Sequence, residues 1–349
     1  MKISRYLYRA TALIAVMLLI LAAMPLTAAG NREADSSALT LYSGRGESLV
    51  EPLIEQFEQE TGITVNVRYG GTSELAVLLS EEGNRTPADL FWAQDAGALG
   101  ALAQQGLLAQ LPARYAEGSL PIYRSTTERW VAASGRARVL AYSPQRLDKS
   151  EYPASVFDLT DERYRGRISW APTNGSFQAF VTAMRVEYGD EVTLQWLQDM
   201  AANDTQAYRN NTTQIEALAA GEVDAALVNN YYLLRFLAQD ADYPVAQRFF
   251  AADDIGNLVN IAGIAITVRS GADSPARSNA ERFIDFLLSE HAQQYFTDTV
   301  YEYPVVEGIE QNPSLESLPT LLQAAPTIDL DALSDLDGTL SLLRQAGVL

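Results

Sequence analysis

The sequence predicts an α/β protein in which two doubly wound lobes, each a sheet covered by helices, are joined by a hinge. Residues 38–93 alternate strand, helix, strand, helix and strand, and a second alternating run begins near residue 130. Strands separated by helices pair in parallel, with right-handed connections. A long apolar stretch at 258–268 lets the chain cross back from one lobe to the other. We therefore expect a cleft between two hinged lobes.

The first lobe is predicted to begin with three strands that alternate with two helices. The first helix has apolar residues at helical spacing, including Leu49, Leu53 and Phe57, and Gly62 follows it as a stop. The second strand alternates in polarity, as a half-buried strand does. The predicted elements are strand 38–42, helix 47–61, strand 63–69, helix 72–82 and strand 88–93.

A second block of strands and helices is predicted to begin after a proline-containing loop at 112–121. Its strands are expected at 130–133, 138–142, 167–170 and 225–228, and its helices at 175–188, 191–202, 213–220 and 233–239. Two late helices follow at 275–288 and 291–297, and Ser274 before Pro275 has the pattern of a helix cap.

Placing the hinge at the chain crossings predicts the boundaries of the lobes. Lobe 1 is predicted to comprise 38–136 plus about 263–312, and lobe 2 about 137–262 plus 313–349.

The N-terminal segment has the pattern of a secretory signal peptide, predicted over residues 1–29. Lys2, Arg5 and Arg9 precede an apolar run at 10–23, and small residues follow at 27–30. The run is shorter than the roughly 20 residues that span a membrane. An uncleaved membrane anchor is the alternative. The chain has no cysteine, so lipid attachment to a cysteine is excluded, and we expect a periplasmic protein.

The acidic composition excludes one class of partner. The chain has 44 acidic and 25 basic residues, a formal net charge of −19. Nucleic-acid binding depends on basic patches, so no nucleic-acid partner is expected. Acidity favours solubility and the long-range attraction of cations, and a solvated surface explains it better than a direct role in binding the substrate.

Two adjacent tyrosines, Tyr231 and Tyr232, are the candidate metal ligands. With no cysteine and a single histidine, His291, the chain offers mainly phenolate and carboxylate oxygens, which suit a hard cation such as Fe(III). Neighbouring side chains diverge in both strands and helices, so both rings can meet one ion only at an irregular junction. A strand ends at 228 and a helix starts at 233, with Asn229 or Asn230 as its expected cap. Without other context, simple packing of the rings is the alternative.

Several ordered motifs give the chain a family resemblance. It resembles the periplasmic ferric-ion-binding proteins of ABC importers, a group of hinged solute-binding proteins, over essentially all of the mature chain. The resemblance implies a class II periplasmic binding protein fold and no enzymatic activity. The motifs that carry it are Leu41-Tyr42-Ser43-Gly44, Thr86-Pro87-Ala88-Asp89-Leu90-Phe91-Trp92, Ser134-Gly135-Arg136-Ala137-Arg138-Val139, Gly221-Glu222-Val223-Asp224-Ala225-Ala226-Leu227 and Glu302-Tyr303-Pro304.

The resemblance also implies roles for particular residues and partners. Tyr231 and Tyr232 fall on the two iron-binding phenolates of the family. The expected partners are ferric iron, a synergistic carbonate or phosphate, and an inner-membrane ABC permease that receives the iron. The protein itself is expected to be a monomer. The positions that match the anion site are Arg136, Asn174, Gly175, Ser176, Asn211 and Asn229.

Two positions depart from the family pattern. The histidine ligand of many members falls at Gly46, and the expected glutamate ligand falls at Gln94, followed by Asp95. Gln94 is a weak candidate ligand, and Asp95, Glu47, solvent or the anion are alternatives for the open positions. Because of these departures, the alternative is a hinged protein that binds another small solute, such as an oxyanion, thiamine or a polyamine. An exported enzyme is the third alternative, but no nucleophile and base pair supports it.

Overall fold

The computed structural model describes residues 38–271 and 275–349. The predicted signal peptide, 1–29, and the predicted cap Ser274 lie outside these residues. No helix in the described ranges has the length and apolar character needed to cross a membrane.

The described strands form a sheet of nine members. Their order across the sheet is β2-β1-β3-β9-β4-β7-β5-β6, and β8 pairs with β4 off this path. The strands are β1 (Leu39–Ser43), β2 (Val65–Tyr69), β3 (Leu90–Ala93), β4 (Val131–Tyr142), β5 (Ile168–Trp170), β6 (Gln206–Ala207), β7 (Ala225–Asn229), β8 (Ala246–Arg248) and β9 (Val259–Ile266).

Strand pairing on the β1 side follows the predicted order. β1 pairs in parallel with both β2 and β3, as expected for strands linked by helices. β9 adds to β3 in the antiparallel sense. The carboxyl ends of β1 and β3 therefore meet at one edge of the sheet, which is where doubly wound sheets bind ligands.

One sequence prediction about the strands was wrong. Strands were expected separately at 130–133 and 138–142, but β4 runs without interruption from Val131 to Tyr142. The intervening residues contain no turn. Residues up to Ala137 pair with β9, with a register shift between Ala132 and Ser134. Residues from Arg138 onward pair with β7. β4 thus joins the two groups of strands, while the lobe boundaries stay a prediction.

The helices match the predicted positions closely in the first part of the chain. α1 ends at Gly62, which has a left-handed φ of 70°, as the sequence predicts. The helices are α1 (Glu47–Thr61), α2 (Thr72–Glu82), α3 (Ala96–Gln104), α4 (Arg114–Gly118), α5 (Gly175–Ala202), α6 (Asn211–Ala220), α7 (Asn230–Leu237), α8 (Pro275–Leu287), α9 (Glu290–Tyr295), α10 (Leu318–Ala324) and α11 (Leu336–Gln345).

α5 contains the predicted break between two helices. Gly189 lies inside it with φ 82° and ψ 165°, a conformation that only glycine adopts readily. The residues before and after Gly189 therefore form two helical segments, which agrees with the expected helices at 175–188 and 191–202.

Aromatic side chains pack together in the core around two strands of the sheet. Trp92 on β3 makes edge contacts with Phe283 and Phe296 at ring separations of 6.1 and 6.2 Å. Trp170 on β5 makes similar contacts with Phe177 and Trp196 at 5.7 and 6.2 Å. Edge-to-face pairs of this kind stabilise by about 0.5–1.5 kcal/mol beyond their area burial.

Candidate functional site

The two tyrosines lie at a strand-to-helix junction. β7 ends at Asn229 and α7 begins at Asn230, so Tyr231 and Tyr232 occupy the first turn of α7. The predicted helix start at 233 was therefore late by a turn. Asn229 occupies the expected cap position with φ −87° and ψ 145°, but its side chain makes no capping hydrogen bond.

The tyrosine rings stack instead of diverging. Their centroids lie 4.3 Å apart with an angle of 29° between the ring planes. Tyr231 is fully buried and Tyr232 is partly buried. Consecutive helical side chains do not normally face one target. The change from extended to helical backbone at Asn229 provides the irregular junction that a shared target requires.

Both hydroxyl groups converge on Gln94. Gln94 follows β3, and its Nε2 donates to the hydroxyl oxygens of Tyr231 at 3.4 Å and of Tyr232 at 3.5 Å. Its backbone N–H donates to Thr72 Oγ1 at 3.1 Å, and this hydrogen bond joins the end of β3 to the first residue of α2. One atomic position is thus in contact with both tyrosine oxygens, although β3 and α7 are distant in sequence.

Burial keeps Tyr232 protonated in the absence of a cation. Burial, followed by the proximity of Tyr231, raises the pKa of Tyr232 well above its usual value. Arg45 acts in the opposite direction but is the weaker influence. A bound metal ion reverses this balance because it favours the phenolate form.

Arg45 and Glu302 form a fully buried ion pair beside the tyrosines. Arg45 Nη2 donates to both carboxylate oxygens of Glu302, at 2.9 and 2.8 Å, and Ser134 Oγ donates to the same carboxylate. The Arg45 guanidinium carbon lies 5.9 Å from the centre of the Tyr231 ring. Burial alone lowers the pKa of Arg45, but Glu302 and the tyrosines raise it above its ordinary value. Arg45 is therefore a permanent cation.

Arg136, predicted to contact an anion, is buried on β4. Its Nη1 donates to the backbone oxygen of Ile261, while Nε and Nη2 have no partner among the described residues. Burial lowers its pKa, and Tyr231 is the largest of the influences that raise it. Asn260, opposite Arg136 in the β4–β9 register, also has an amide nitrogen without a described partner. These donors are suited to an anionic ligand.

Arg138, two residues further along β4, lies on the same face of the strand. It donates from Nη2 to the backbone oxygen of Ser176 at 2.9 Å and packs over Phe180 at 5.0 Å. Burial, with a contribution from Arg136, lowers the pKa of Arg138 to about 9. It remains protonated at neutral pH and ties β4 to the start of α5.

The predicted anion loop forms the start of α5. Asn174 Oδ1 accepts hydrogen bonds from Ser176 N at 3.0 Å and Ser176 Oγ at 2.6 Å, so Asn174 is a helix cap. Asn229 Nδ2 donates to Ser176 Oγ at 3.1 Å, and Asn211 Oδ1 accepts from Asn229 N at 2.7 Å. The structure brings these predicted residues together in one hydrogen-bonded chain next to the tyrosine junction.

Gly175 allows α5 to approach the opposite wall closely. A Cβ atom added at Gly175 would lie 3.0 Å from Asp95 Oδ2 and 3.3 Å from Thr72 Cβ. Asp95 caps α3 through Oδ1, which accepts from Ala98 N at 2.9 Å, and its Oδ2 has no partner among the described residues. Burial raises the pKa of the Asp95 carboxyl. Ser73 Oγ also donates to Gln178 Oε1 across this gap.

A cleft of about 770 Å³ lies between these walls. Arg45, Gln94 and the Gly70–Gly71 turn line one side, and Thr173 with the first residues of α5 lines the other. Tyr231 and Tyr232 are not among the lining residues, but Gln94 both lines the cleft and contacts their hydroxyl groups. The volume is within the range of about 300–1,000 Å³ that is typical of small-ligand sites.

The sequence did not assign roles to several residues of this site. Glu302 belongs to a quoted motif and Arg45 directly follows another, but their pairing links positions 257 residues apart. Asn230 accepts from Ala137 N at 3.0 Å and has an unpartnered amide nitrogen in the described structure. Within the described ranges no group of three or more histidine, cysteine, aspartate or glutamate side chains is placed to hold a metal.

The fold and the cleft define a two-lobed α/β solute-binding protein. A family model for bacterial extracellular solute-binding proteins matches residues 85–333. The chain belongs to this family, which confirms the predicted fold class and the prediction that the protein is not an enzyme.

Similar proteins cover almost the whole chain. The Fe(3+)-binding periplasmic protein of Serratia marcescens is 31% identical over 334 residues, covering 95% of this chain and 96% of the relative. The major ferric iron-binding protein of Neisseria meningitidis serogroup B is also 31% identical over 334 residues, covering 94% and 97%. The crystal structure of iron-bound HitA from Pseudomonas aeruginosa superposes with a TM-score of 0.82 at 33% identity, covering 89% of this chain and 99% of HitA.

Proposed function

We propose that this protein captures Fe(III) in the periplasm and delivers it to an inner-membrane ABC permease. Tyr231 and Tyr232 bind the ion as phenolates, and a synergistic carbonate or phosphate completes its coordination. The similarity to relatives named for ferric iron and for the periplasm supports this cargo and location. The membership in a solute-binding family supports a permease as the partner.

One geometric observation carries the proposal. The hydroxyl oxygens of Tyr231 and Tyr232 lie 3.4 and 3.5 Å from one atom, Gln94 Nε2. A position in contact with both oxygens therefore exists in the folded chain. Two phenolates are hard oxygen ligands and offset two of the three charges of ferric iron. When iron is bound, its charge supplies the driving force for loss of the phenolic protons.

The anion is supported by the donors that surround the tyrosines. Arg136 contributes two buried nitrogens without described partners, and Asn230 and Asn260 contribute one each. The start of α5 directs its N-terminal dipole towards the cleft. An oxyanion placed here satisfies these donors and reduces the positive charge of the iron site.

Titration of the purified protein with Fe(III) tests the proposal. We expect a visible phenolate-to-iron charge-transfer band that saturates at one iron per chain. Tyr231→Phe and Tyr232→Phe keep the stacked rings but remove the ligand oxygens. Each should lower iron affinity by more than about 100-fold, since even outer partners of metal ligands are worth about 10–100-fold.

Tyr243→Phe is the matched control. Tyr243 also stacks on a neighbouring ring, that of Phe236, at 4.8 Å and 27°, but it contacts none of the cleft residues described above. Its substitution should leave iron affinity unchanged. A colourless titration, or equal affinities for the wild type and the Tyr231→Phe/Tyr232→Phe double variant, would refute the proposal.

A second candidate function is the binding of a small oxyanion without iron. The unpartnered guanidinium nitrogens of Arg45 and Arg136 favour it, because buried donors favour a ligand with acceptor oxygens. Thermal stabilisation of the iron-free protein by an oxyanion, with no further change on adding Fe(III), would decide for this alternative.

A further inference from the structure

Asn230 takes part in the sheet with its side chain, although its backbone belongs to α7. β7 pairs with β4 in an antiparallel register that ends with Arg138 opposite Asn229. The next pair in this register is Ala137 with Asn230, but Asn230 is the first residue of α7. The hydrogen bond at this step comes from the side chain instead, because Ala137 N donates to Asn230 Oδ1 at 3.0 Å.

The directions of the backbone groups show which atom the side chain replaces. Successive residues of a paired strand direct their N–H groups to opposite edges. Arg138 N donates to Leu258 O, next to β9, at 2.9 Å, so the N–H of Ala137 is directed towards β7. An extended Asn230 would offer its backbone oxygen there. In α7 that oxygen is directed along the helix, towards the N–H four residues later. The side-chain oxygen therefore occupies the place of the backbone oxygen.

This replacement satisfies a group that has no access to water. Ala137 is fully buried and Asn230 is 3% exposed, and a buried backbone N–H needs an acceptor. The amide nitrogen of Asn230 has no partner among the described residues, so the bond from Ala137 is the one hydrogen bond of this side chain in that part of the chain. The strand can therefore end at this residue without leaving an unpaired N–H on β4.

The residue at which the strand ends decides where the two tyrosines point. In an extended chain, Tyr231 and Tyr232 would project from opposite faces of the sheet. Because α7 begins at Asn230, their rings stack at 4.3 Å and their hydroxyl oxygens lie 3.4 and 3.5 Å from Gln94 Nε2. The convergence of the two oxygens thus depends on an exit from the sheet at Asn230.

The same hydrogen bond ties the tyrosines to the buried arginines of β4. Ala137 lies between Arg136 and Arg138 in the sequence. Burial lowers the pKa of each guanidinium, and the nearby Tyr231 acts in the opposite direction on both. Since Asn230 is bonded to the residue between the two arginines and directly precedes Tyr231, it sets the position of the tyrosine pair relative to these cations.

We infer that Asn230 is a positioning residue of the iron site. Its side-chain oxygen replaces its backbone oxygen in the β4–β7 ladder, so that α7 starts one residue before Tyr231 and both phenolic oxygens reach one ion. This inference rests on the proposed function and adds a residue that acts through the tyrosines without binding the iron itself.

Substitution of Asn230 by leucine tests the need for the acceptor oxygen. Asn230→Leu keeps a side chain of similar size but leaves the N–H of Ala137 without an acceptor, which favours an extended backbone at residue 230. We expect iron affinity to fall by about 10–100-fold, as it does for other residues that orient metal ligands. The charge-transfer absorbance per bound iron should fall towards that of Tyr232→Phe, which retains one phenolate.

Asn230→Asp is the rescue variant. Its carboxylate keeps an oxygen at the position of Oδ1 but has no amide nitrogen. We expect it to retain the wild-type absorbance per bound iron and most of the affinity. Because the aspartate and leucine variants both lack the amide nitrogen, this recovery assigns the effect to the acceptor and not to a donor for the anion. Asn230→Ala takes the place of Asn230→Leu if thermal unfolding shows that the leucine variant does not fold.

Asn257→Leu is the matched control. The side-chain oxygen of Asn257 also accepts from a buried backbone N–H, that of Phe250 at 2.8 Å, and its amide nitrogen donates to the backbone oxygens of Ala251 and Ala324. This substitution should lower the thermal unfolding temperature but leave iron affinity and absorbance per bound iron unchanged. Losses equal to those of Asn230→Leu would show general destabilisation instead of positioning.

The outcomes separate this inference from the proposed function. Wild-type affinity and absorbance per iron in a folded Asn230→Leu or Asn230→Ala protein would overturn the positioning role, as would equal losses in the leucine and aspartate variants. Both results would leave iron binding by the wild type intact. A wild-type protein that binds no iron would contradict the proposed function itself.

Discussion

The guanidinium of Arg45 and the carboxylate of Glu302 form an ion pair in which neither side chain is exposed, although 257 positions separate them. The pair joins the loop after β1 to the segment after α9 beside the tyrosine junction. Because both groups have lost their hydration, each depends on the other for compensation. The geometry of the cleft wall therefore depends on this contact.

The first prediction concerns the stability of the apo protein. Glu302→Gln leaves Arg45 as a buried cation without its partner, and we expect the free energy of unfolding to fall by about 3–5 kcal/mol. Denaturant unfolding monitored by tryptophan fluorescence provides the measurement. Glu162→Gln, which breaks an exposed pair with Arg165, is the control and should leave stability nearly unchanged, because solvent screens an exposed ion pair. Equal effects of the two substitutions would show that the buried pair has no special role.

The second prediction concerns the position of the missing carboxylate ligand. Gln94 already contacts both tyrosine hydroxyl groups, so Gln94→Glu places a carboxylate at the same point. We expect iron affinity to rise by about tenfold or more, or about 1.4 kcal/mol, because a neutral donor is replaced by a charged oxygen ligand. Gln105→Glu, on the exposed end of α3, controls for the added charge. An affinity unchanged by Gln94→Glu would place the iron elsewhere.

The third prediction concerns Asp95 and pH. Burial raises the pKa of Asp95 in the folded state. Its contribution to stability is therefore present below the ordinary carboxyl pKa of about 4 and is lost as pH rises through the raised value. Asp95→Asn keeps the helix cap but removes the titration. We expect the variant to be more stable than the wild type at neutral pH, with a difference that shrinks towards about pH 4 in thermal unfolding of the apo protein. A difference that grows on acidification would contradict this sign.

The fourth prediction concerns protons released on iron binding. The pKa of Tyr232 is raised well above its usual value by burial, so its hydroxyl group enters the reaction protonated at neutral pH. Iron loading should release the proton of Tyr232, and iron affinity should fall as pH decreases. Calorimetry in buffers of different ionisation enthalpy measures the release. The Tyr232→Phe variant should release about one proton fewer, and equal release by both proteins would argue against phenolate ligation.

The sequence predicted local structure well where local forces determine it. α1 and α2 begin and end at the predicted residues, because glycine stops and apolar periodicity are encoded within each helix. The strand-to-helix junction at Asn229 was also predicted, although α7 starts a turn earlier than expected. The predicted break in β4 was wrong because pairing with β9 and β7 continues across residues that have no strong strand preference.

The contacts of the candidate site could be predicted only in part. Tyr231, Tyr232, Arg136 and the start of α5 were selected from motifs, and the structure places them close together. The pairing of Arg45 with Glu302 and the approach of Asp95 to Gly175 could not be predicted, because they join segments distant in sequence. Such contacts depend on the packing of the whole sheet and have no periodic pattern along the chain.

Anomalous diffraction at the iron edge, from crystals grown with Fe(III), tests the central claim most directly. We predict one anomalous peak within coordination distance of the hydroxyl oxygens of both Tyr231 and Tyr232, at the point on which they converge near Gln94. A peak bound by other side chains, or crystals of the iron-treated protein with no peak at the tyrosine pair, would contradict the account.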